Sequence, residues 1–211
     1  MNRLAPRVRA FAGVASCVAG FVDAVGFLAL GGFFVSFMSG NTTRMGVGLA
    51  DRAHDGLVAI GLIGTFVLGV ILGSTISRIA GRHRRTWVLL VVATLLAAAI
   101  ALHTVGGRTL AFTAMALVMG AENAVFERDG DVQIGLTYMT GTLVKLGQRL
   151  AGAVAGGERW AWLPYLAQWL SLATGALSGA LLYPYVGISA LWLPVIVLLA
   201  LSAAARRLDH P

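Results

Sequence analysis

Two polar clusters, about one hundred residues apart, hold most of the side chains in this sequence that could bind a solute. They are Ser39-Gly40-Asn41-Thr42 followed by Arg44, and Thr140-Gly141-Thr142 followed by Lys145. Glycine lets the backbone bend, and short hydroxyl or amide side chains can cap the N–H groups of a helix that begins after the bend. A helix N-terminus also attracts anions. The clusters therefore predict two breaks, at Gly40 and at Gly141, that form a binding site.

Three further polar residues lie within long apolar runs. Asp23 is near the middle of the first run, and Glu122 and Asn123 take the corresponding place in a later one. An ionisable residue at membrane depth is costly, so it is a functional candidate by default. We expect Asp23 to face Arg44 or Lys145 across a central cavity and to couple transport to protons. The alternatives are a structural ion pair and a carboxylate that binds backbone groups freed by the break.

The elements that must position these residues are membrane helices, because the composition excludes an ordinary soluble domain. The 211 residues are 58% hydrophobic and 12% charged, with a mean hydropathy of +0.82. Soluble domains carry about 25% charged residues. The net charge of +7 comes from basic residues that flank apolar runs, which indicates membrane topology and anionic lipid rather than nucleic acid.

Six apolar runs are long enough to cross a bilayer, which takes about 20 residues each. They are Ala10–Leu30, Gly56–Ser77, Thr86–Val105, Thr109–Phe126, Trp160–Tyr183 and Val186–Ala205. Tyr183-Pro184-Tyr185 is predicted to form the turn between the last two. We expect one transmembrane domain over residues 1–211, without a sizeable domain outside the membrane.

Two shorter stretches, Phe33–Ala50 and Val132–Ala151, contain the polar clusters. If both are broken, re-entrant segments, thirteen basic residues lie in the cytoplasm and three, at positions 44, 52 and 108, lie outside. If both cross instead, giving eight helices in a 4+4 arrangement, the basic cluster Arg78–Arg85 lies outside, against the positive-inside rule. The sequence thus favours six spanning helices plus two re-entrant segments, with both termini in the cytoplasm.

The chain also carries an internal repeat. Phe37–Ala50 aligns without gaps on Tyr138–Ala151, and in the preceding helices Gly20 and Asp23 match Gly120 and Asn123. Each half, 10–105 and 109–206, then has a Gly-x-x-x-Gly step, at Gly69 and Gly73 and at Gly175 and Gly179. Such steps let helices approach closely, either between the halves or in a homo-oligomer. With three spans per half, the second half is inverted relative to the first, as in many transporters. The alternative is that two similar compositions align by chance.

The stretch Gly20-Phe21-Val22-Asp23-Ala24, together with Phe33–Met38 running into Ser39-Gly40-Asn41, resembles the YoaK-type family of bacterial inner-membrane proteins. The resemblance covers most of the chain. It implies a polytopic protein of the bacterial inner membrane and supplies no reaction, because this is a family of unknown function. Asp23, Gly40 and Asn41 are the positions that match the motif.

These patterns predict a transporter or channel for a small solute rather than an enzyme. The predicted site is lined by residues of both halves: Asp23, Ser39, Gly40, Asn41, Thr42, Arg44, Glu122, Asn123, Thr140, Gly141, Thr142 and Lys145. The two cations and the helix N-termini favour an anionic or zwitterionic solute. We predict no metal or cofactor, since the four histidines are widely spaced and no nucleotide fingerprint occurs. The alternatives are a membrane scaffold or regulatory subunit without transport activity and, third, a membrane-embedded enzyme that uses Asp23 or Glu122.

Overall fold

A computed structural model describes residues 5–51, 53–128 and 131–209, and these residues are mainly helical. Their eight α-helices are α1 (Pro6–Ala29), α2 (Met38–Asp51), α3 (Ala53–Ala80), α4 (Arg84–Thr104), α5 (Arg108–Glu122), α6 (Met139–Val154), α7 (Leu163–Val186) and α8 (Trp192–Asp209). The 3₁₀ turns Gly81–His83, Asn123–Phe126 and Gly187–Leu191 extend or join them. A short antiparallel hairpin, β1 (Glu127–Arg128) with β2 (Asp131–Val132), follows α5.

The long apolar runs form helices, as predicted. In the described part of the chain, four helical stretches are long and apolar enough to cross a membrane: Pro6–Ala29, Ala53–Thr104, Arg108–Phe126 and Leu163–Arg207. The second and the fourth each contain two helices joined by a 3₁₀ turn. The prediction of an all-α membrane protein is therefore confirmed.

The turn between α7 and α8 lies later than predicted. Pro184 is inside α7, and the chain turns only at Gly187, which has a φ of 58°. Proline is tolerated near the end of this helix, whereas the positive φ that the turn requires favours glycine. The prediction of a turn at Tyr183-Pro184-Tyr185 is wrong for this reason.

The two stretches that contain the polar clusters form short helices preceded by irregular backbone. The helix α2 has 14 residues and α6 has 16. At 1.5 Å per residue they extend about 21 and 24 Å, less than the roughly 30 Å of the hydrocarbon core. We call residues 30–37 the first unwound segment and residues 133–138 the second.

Glycines bring two pairs of helices into backbone contact. On α3 and α5, a Cβ added at Gly69, Gly73 or Gly120 would collide with a carbonyl oxygen of the facing helix. The same holds on α1 and α7 for Gly20, Gly175 and Gly179. Both Gly-x-x-x-Gly steps therefore pack the two halves of the chain against each other, which is the intramolecular use that the sequence allowed.

The helices α1 and α5 run in opposite directions, and so do α4 and α8. Along α1 and α5, the Phe11 ring contacts Phe126 with 5.9 Å between ring centroids, while an added Cβ at Gly26 would meet the Met115 side chain at 3.3 Å. The start of α1 thus faces the end of α5. Similarly, Ser202 near the end of α8 donates a hydrogen bond to the carbonyl of Thr86 near the start of α4. The apolar core lies among these four helices.

Candidate functional site

The first break in the helical backbone comes before Gly40 rather than at it. The chain leaves α1 through Gly31 and Gly32, with φ values of 65° and 101°, and Gly40 is already in the first turn of α2. Likewise, Gly141 is in the first turn of α6. The predicted positions of the breaks are therefore wrong, because left-handed glycines after α1 end that helix. Gly40 is needed for packing, since an added Cβ would lie 2.6 Å from the Phe37 ring.

Asp23 holds the first unwound segment in place. Its Oδ1 accepts hydrogen bonds from the N–H groups of Val35, at 3.0 Å, and Ser36, at 2.7 Å. Among the described residues, neither Arg44 nor Lys145 forms an ion pair with it, so the expected pairing with a cation is not found. The alternative that the sequence left open, a carboxylate binding backbone groups freed by the break, describes this contact.

Asn41 fixes the same segment from the other side. Its Oδ1 accepts a hydrogen bond from the N–H of Phe34 at 3.0 Å, and its Nδ2 donates to the carbonyl of Phe34 at 2.7 Å. Asn41 is fully buried, so both backbone groups of Phe34 would otherwise lack a partner. The amide therefore satisfies irregular backbone, as membrane depth requires.

The hydroxyl groups of the clusters do not cap the helices. Thr42 donates to the carbonyl of Met38 at 2.9 Å, and Thr142 donates to that of Tyr138 at 3.2 Å. Both are bonds to the carbonyl four residues earlier, a common alternative for threonine within a helix. The prediction that these side chains bind the first N–H groups is wrong.

The two unwound segments and the helices that follow them meet at a cavity of about 300 Å³. We call it the central cavity; its walls are Ser36, Phe37, Met38, Ser39, Phe66, Thr137, Tyr138, Met139, Thr140 and Gly141. In the sequence alignment, residues 37–39 correspond to residues 138–140, so aligned positions of both stretches lie on the wall. Of the predicted site residues, Ser39, Thr140 and Gly141 are on this wall.

Both short helices begin at the central cavity, and their first turns leave N–H groups without a partner. The hydrogen bonds of the described residues include none donated by the N–H groups of Ser39, Thr140 or Gly141. These free donors carry the partial positive charge of a helix N-terminus. The Oγ1 of Thr137, a residue that is 9% exposed, also lacks a partner. The wall therefore presents donors that suit a small polar or anionic group.

The two predicted cations lie elsewhere. The Arg44 guanidinium is 4.8 Å from the centroid of the Phe33 ring and lines a different pocket together with Asp51 and Asp55. Lys145 is exposed on α6. Neither residue lines the central cavity, because each follows the first turn of its helix by more than one residue and points away from the wall.

Glu122 and Asn123 are buried behind the second half of the site. Glu122 is 1% exposed, and its Oε1 has no hydrogen-bond partner. Asn123 donates from Nδ2 to the carbonyl of Met119 at 3.0 Å, while its Oδ1 has no partner. The second half thus lacks the side-chain anchor that Asp23 provides in the first.

Sequence reasoning missed several residues of the wall and one buried support. Two groups of wall residues lie just before the polar clusters: Ser36, Phe37 and Met38 before the first, and Thr137, Tyr138 and Met139 before the second. The sequence alignment already pairs Phe37 with Tyr138 and Met38 with Met139. Phe66 comes from α3 without any sequence signal. The Ser16 hydroxyl donates to the carbonyl of Leu136 at 3.0 Å and is itself bound by Gln168, which supports the second unwound segment from α1 and α7.

Comparison with known proteins places this architecture in a family. The model of the family described as "Protein of unknown function (DUF1275)" matches residues 11–204. The chain belongs to this family. A relative from Rhizobium meliloti (strain 1021), named UPF0700 transmembrane protein RA0705, is 41% identical over 219 residues, covering 99% of this chain and 93% of the relative. No solved structure matches.

The DUF1275 assignment confirms the predicted membership of a membrane family without an established function. It agrees with the apolar helices, so the chain is a multi-pass membrane protein whose surroundings are a lipid bilayer. Which of the site residues bind a solute stays a prediction.

Proposed function

We propose that this protein is a transporter or channel for a small solute, which passes through the central cavity. The observation that carries the proposal is the cavity itself, since equivalent residues of two unwound segments form its walls. Irregular backbone at membrane depth is tolerated where it lines a cavity or is covered by protein. Discontinuous helices that meet near the midplane form the sites of many secondary transporters.

We infer a 3+3 inverted repeat from the helix directions. The helices α1 and α5 are equivalent in the repeat and antiparallel, and so are α4 and α8. An odd number of crossings per half inverts the second half, whereas four crossings per half would leave equivalent helices parallel. The short α2 and α6 are then the re-entrant segments, each entering after an unwound segment and not crossing completely.

The basic residues support one orientation of this arrangement. One end of the bundle contains the start of α1, the end of α5, the start of α4 and the end of α8. The Phe11–Phe126 contact joins the first two, the Thr86–Ser202 contact joins the last two, and Arg85 of α4 over the Phe126 ring joins the two pairs. That end carries Arg7, Arg9, Arg84, Arg85, Arg206 and Arg207. We propose that it faces the cytoplasm of a bacterial inner membrane, so both termini are cytoplasmic.

The proposed solute is small and carries an anionic group, either as a simple anion or as a zwitterion. The volume of about 300 Å³ is at the small end of ligand pockets. Two helix N-termini and the hydroxyl groups of Ser39, Thr137 and Thr140 supply donors for such a group. This support comes from the helix ends rather than from Arg44 and Lys145, on which the sequence argument partly relied.

Transport is favoured over catalysis because the described wall carries hydroxyl groups but no carboxylate, imidazole, amine or thiol that would activate one of them as a nucleophile. A scaffold or regulatory subunit without transport activity is the other outcome that the experiment must separate.

The test is solute entry into proteoliposomes that contain the full chain. Swelling is followed by light scattering with potassium formate, potassium acetate, glycine and urea, and valinomycin balances the charge of the anions. We expect an anion or glycine to enter faster than into empty liposomes. Thr140→Trp, which fills the central cavity, removes this entry, whereas Thr142→Trp on the same helix preserves it.

Entry at the rate of empty liposomes for all four solutes contradicts the proposal and favours a scaffold. Equal effects of the two tryptophan variants, when both give monodisperse protein, would place any solute path outside the central cavity.

A further inference from the structure

Glu122 is a buried glutamate at the end of α5, and it does not line the central cavity. It is 1% exposed, its neighbours Ala121 and Asn123 are 0% and 2% exposed, and its Oε1 has no hydrogen-bond partner. A carboxylate that loses its hydration in apolar surroundings without a cation or a donor is strongly disfavoured, and the group takes up a proton instead.

The charged groups on the elements packed against this end of α5 do not pair with Glu122 in the described structure. They are Arg7, Arg9 and Asp23 on α1, Arg78 on α3, Arg84 and Arg85 on α4 and Glu127 on β1; His54 and Asp55 on α3 and His103 on α4 lie toward the opposite end. Arg85 lies over the Phe126 ring at 5.9 Å, and Glu127 accepts a 2.5 Å hydrogen bond from Ser74. Asp23 binds the first unwound segment. Among the described residues, no cation or hydrogen-bond donor therefore contacts the Oε1 of Glu122.

The repeat provides an internal comparison for this position. Val22 takes the place of Glu122 one hundred residues earlier and is also 1% exposed. A similarly buried position in the first half is therefore filled by an apolar side chain. A carboxyl group at this point is not a requirement of the helix packing and needs another reason.

The adjoining positions show a second difference between the halves. In the first half, Asp23 binds backbone groups of Val35 and Ser36. In the second half, the counterparts Asn123 and Thr137 each retain an unpartnered oxygen, and Thr137 lines the central cavity. The second half thus contains three buried oxygens without a hydrogen-bond partner, one each in Glu122, Asn123 and Thr137. The unwound segment of this half is not held by a carboxylate.

We propose that Glu122 is the proton-binding residue that couples solute transport to protons. It carries a proton in the conformation described and exchanges that proton with water during the transport cycle. This assignment rests on the proposed function, and it transfers to Glu122 the role that the sequence suggested for Asp23.

The direct test is infrared spectroscopy of the purified full chain in lipid, which detects the carbonyl stretch of a protonated carboxyl group and needs no solute. At neutral pH we expect such a band in the natural chain and in Asp23→Asn, and its loss in Glu122→Gln. Persistence of the band in Glu122→Gln, or its absence from the natural chain, overturns the proposal. Glu122→Val, which copies the first half, provides a second variant if the glutamine variant does not fold.

The coupling is read in the same proteoliposomes with a pH-sensitive dye inside. We expect glycine or formate entry to carry protons inward in the natural chain, and at least a tenfold loss of that proton movement in Glu122→Gln. If the infrared band belongs to Glu122 but no solute enters the proteoliposomes, the transport function is refuted, whereas the protonated state of Glu122 is not. Solute-driven proton movement that is unchanged in Glu122→Gln refutes the coupling role while leaving transport standing.

Discussion

The anchoring role of Asp23 leads to a quantitative prediction that separates it from a role in proton transfer. Asp23→Ala removes the acceptor of two N–H groups, those of Val35 and Ser36, which belong to residues that are 0% and 7% exposed. Water cannot replace the lost acceptor at such buried positions. Hydrogen bonds to a charged group contribute about 1.5–3 kcal/mol each, so the variant should lose about 3–6 kcal/mol of unfolding free energy.

Asp23→Asn keeps an oxygen at the same place and loses only the charge. Because neutral hydrogen bonds contribute about 0.5–1.5 kcal/mol each, this variant should lose about 1–3 kcal/mol. Asn123→Ala is the matched control in the second half, where the amide makes a neutral bond from Nδ2 to the Met119 carbonyl and Oδ1 has no partner, and it should lose about 0.5–1.5 kcal/mol. Unfolding by sodium dodecyl sulfate in mixed micelles, followed by circular dichroism, measures all three.

The reasoning is refuted if Asp23→Ala unfolds within error of the natural chain, or if Asp23→Asn costs as much as Asp23→Ala. Solute entry into proteoliposomes provides an independent test. Asp23→Asn keeps an acceptor for the N–H groups of Val35 and Ser36, so we expect it to transport solute. A folded Asp23→Asn variant with no solute entry would therefore return the coupling role to Asp23.

Two further predictions concern the packing of the helices and the first unwound segment. Gly175→Leu forces a side chain into the backbone of α1 and should yield aggregated protein on size exclusion, whereas Gly64→Leu, with open space around its Cβ, should remain monodisperse. Asn41→Ala leaves two backbone groups without partners and should lower the unfolding free energy by about 2–6 kcal/mol. Thr42→Ala, which removes one exposed hydroxyl, should change it by less than about 1 kcal/mol in the same titration; equal losses would exclude the anchoring role of the amide.

The helices were predictable because run length and apolar composition alone decide which segments can cross a bilayer. The exact ends of the helices were less predictable. Pro184 is an example, because a proline near the end of a helix is found both in the last turn of the helix and in the loop that follows; here the chain leaves the helix only at Gly187. The repeat stays a prediction that rests on the gap-free alignment of the polar clusters.

The partners of the polar side chains could not be read from the sequence. Asp23 could have faced a cation or backbone N–H groups, and only the path of the chain after Gly31 and Gly32 brings Val35 and Ser36 to it. Arg44 follows the polar cluster in sequence but lies on another face of α2, over the Phe33 ring. Long-range geometry decides such contacts. Ser39 and Thr140, which the sequence alignment pairs, both line the central cavity, and their binding of a solute stays a prediction.

Access to the central cavity from the two sides of the membrane is the most direct test of its proposed role. Cys17 is the one cysteine of the chain, so Thr140→Cys in a Cys17→Ala background gives a single thiol on the cavity wall. A membrane-impermeant maleimide is added to one side or the other of vesicles with a known orientation, and Gly64→Cys serves as the control outside the cavity. The account predicts that Thr140→Cys is labelled from both sides in the same preparation. Labelling from one side only, or from neither, would contradict a solute path through this cavity.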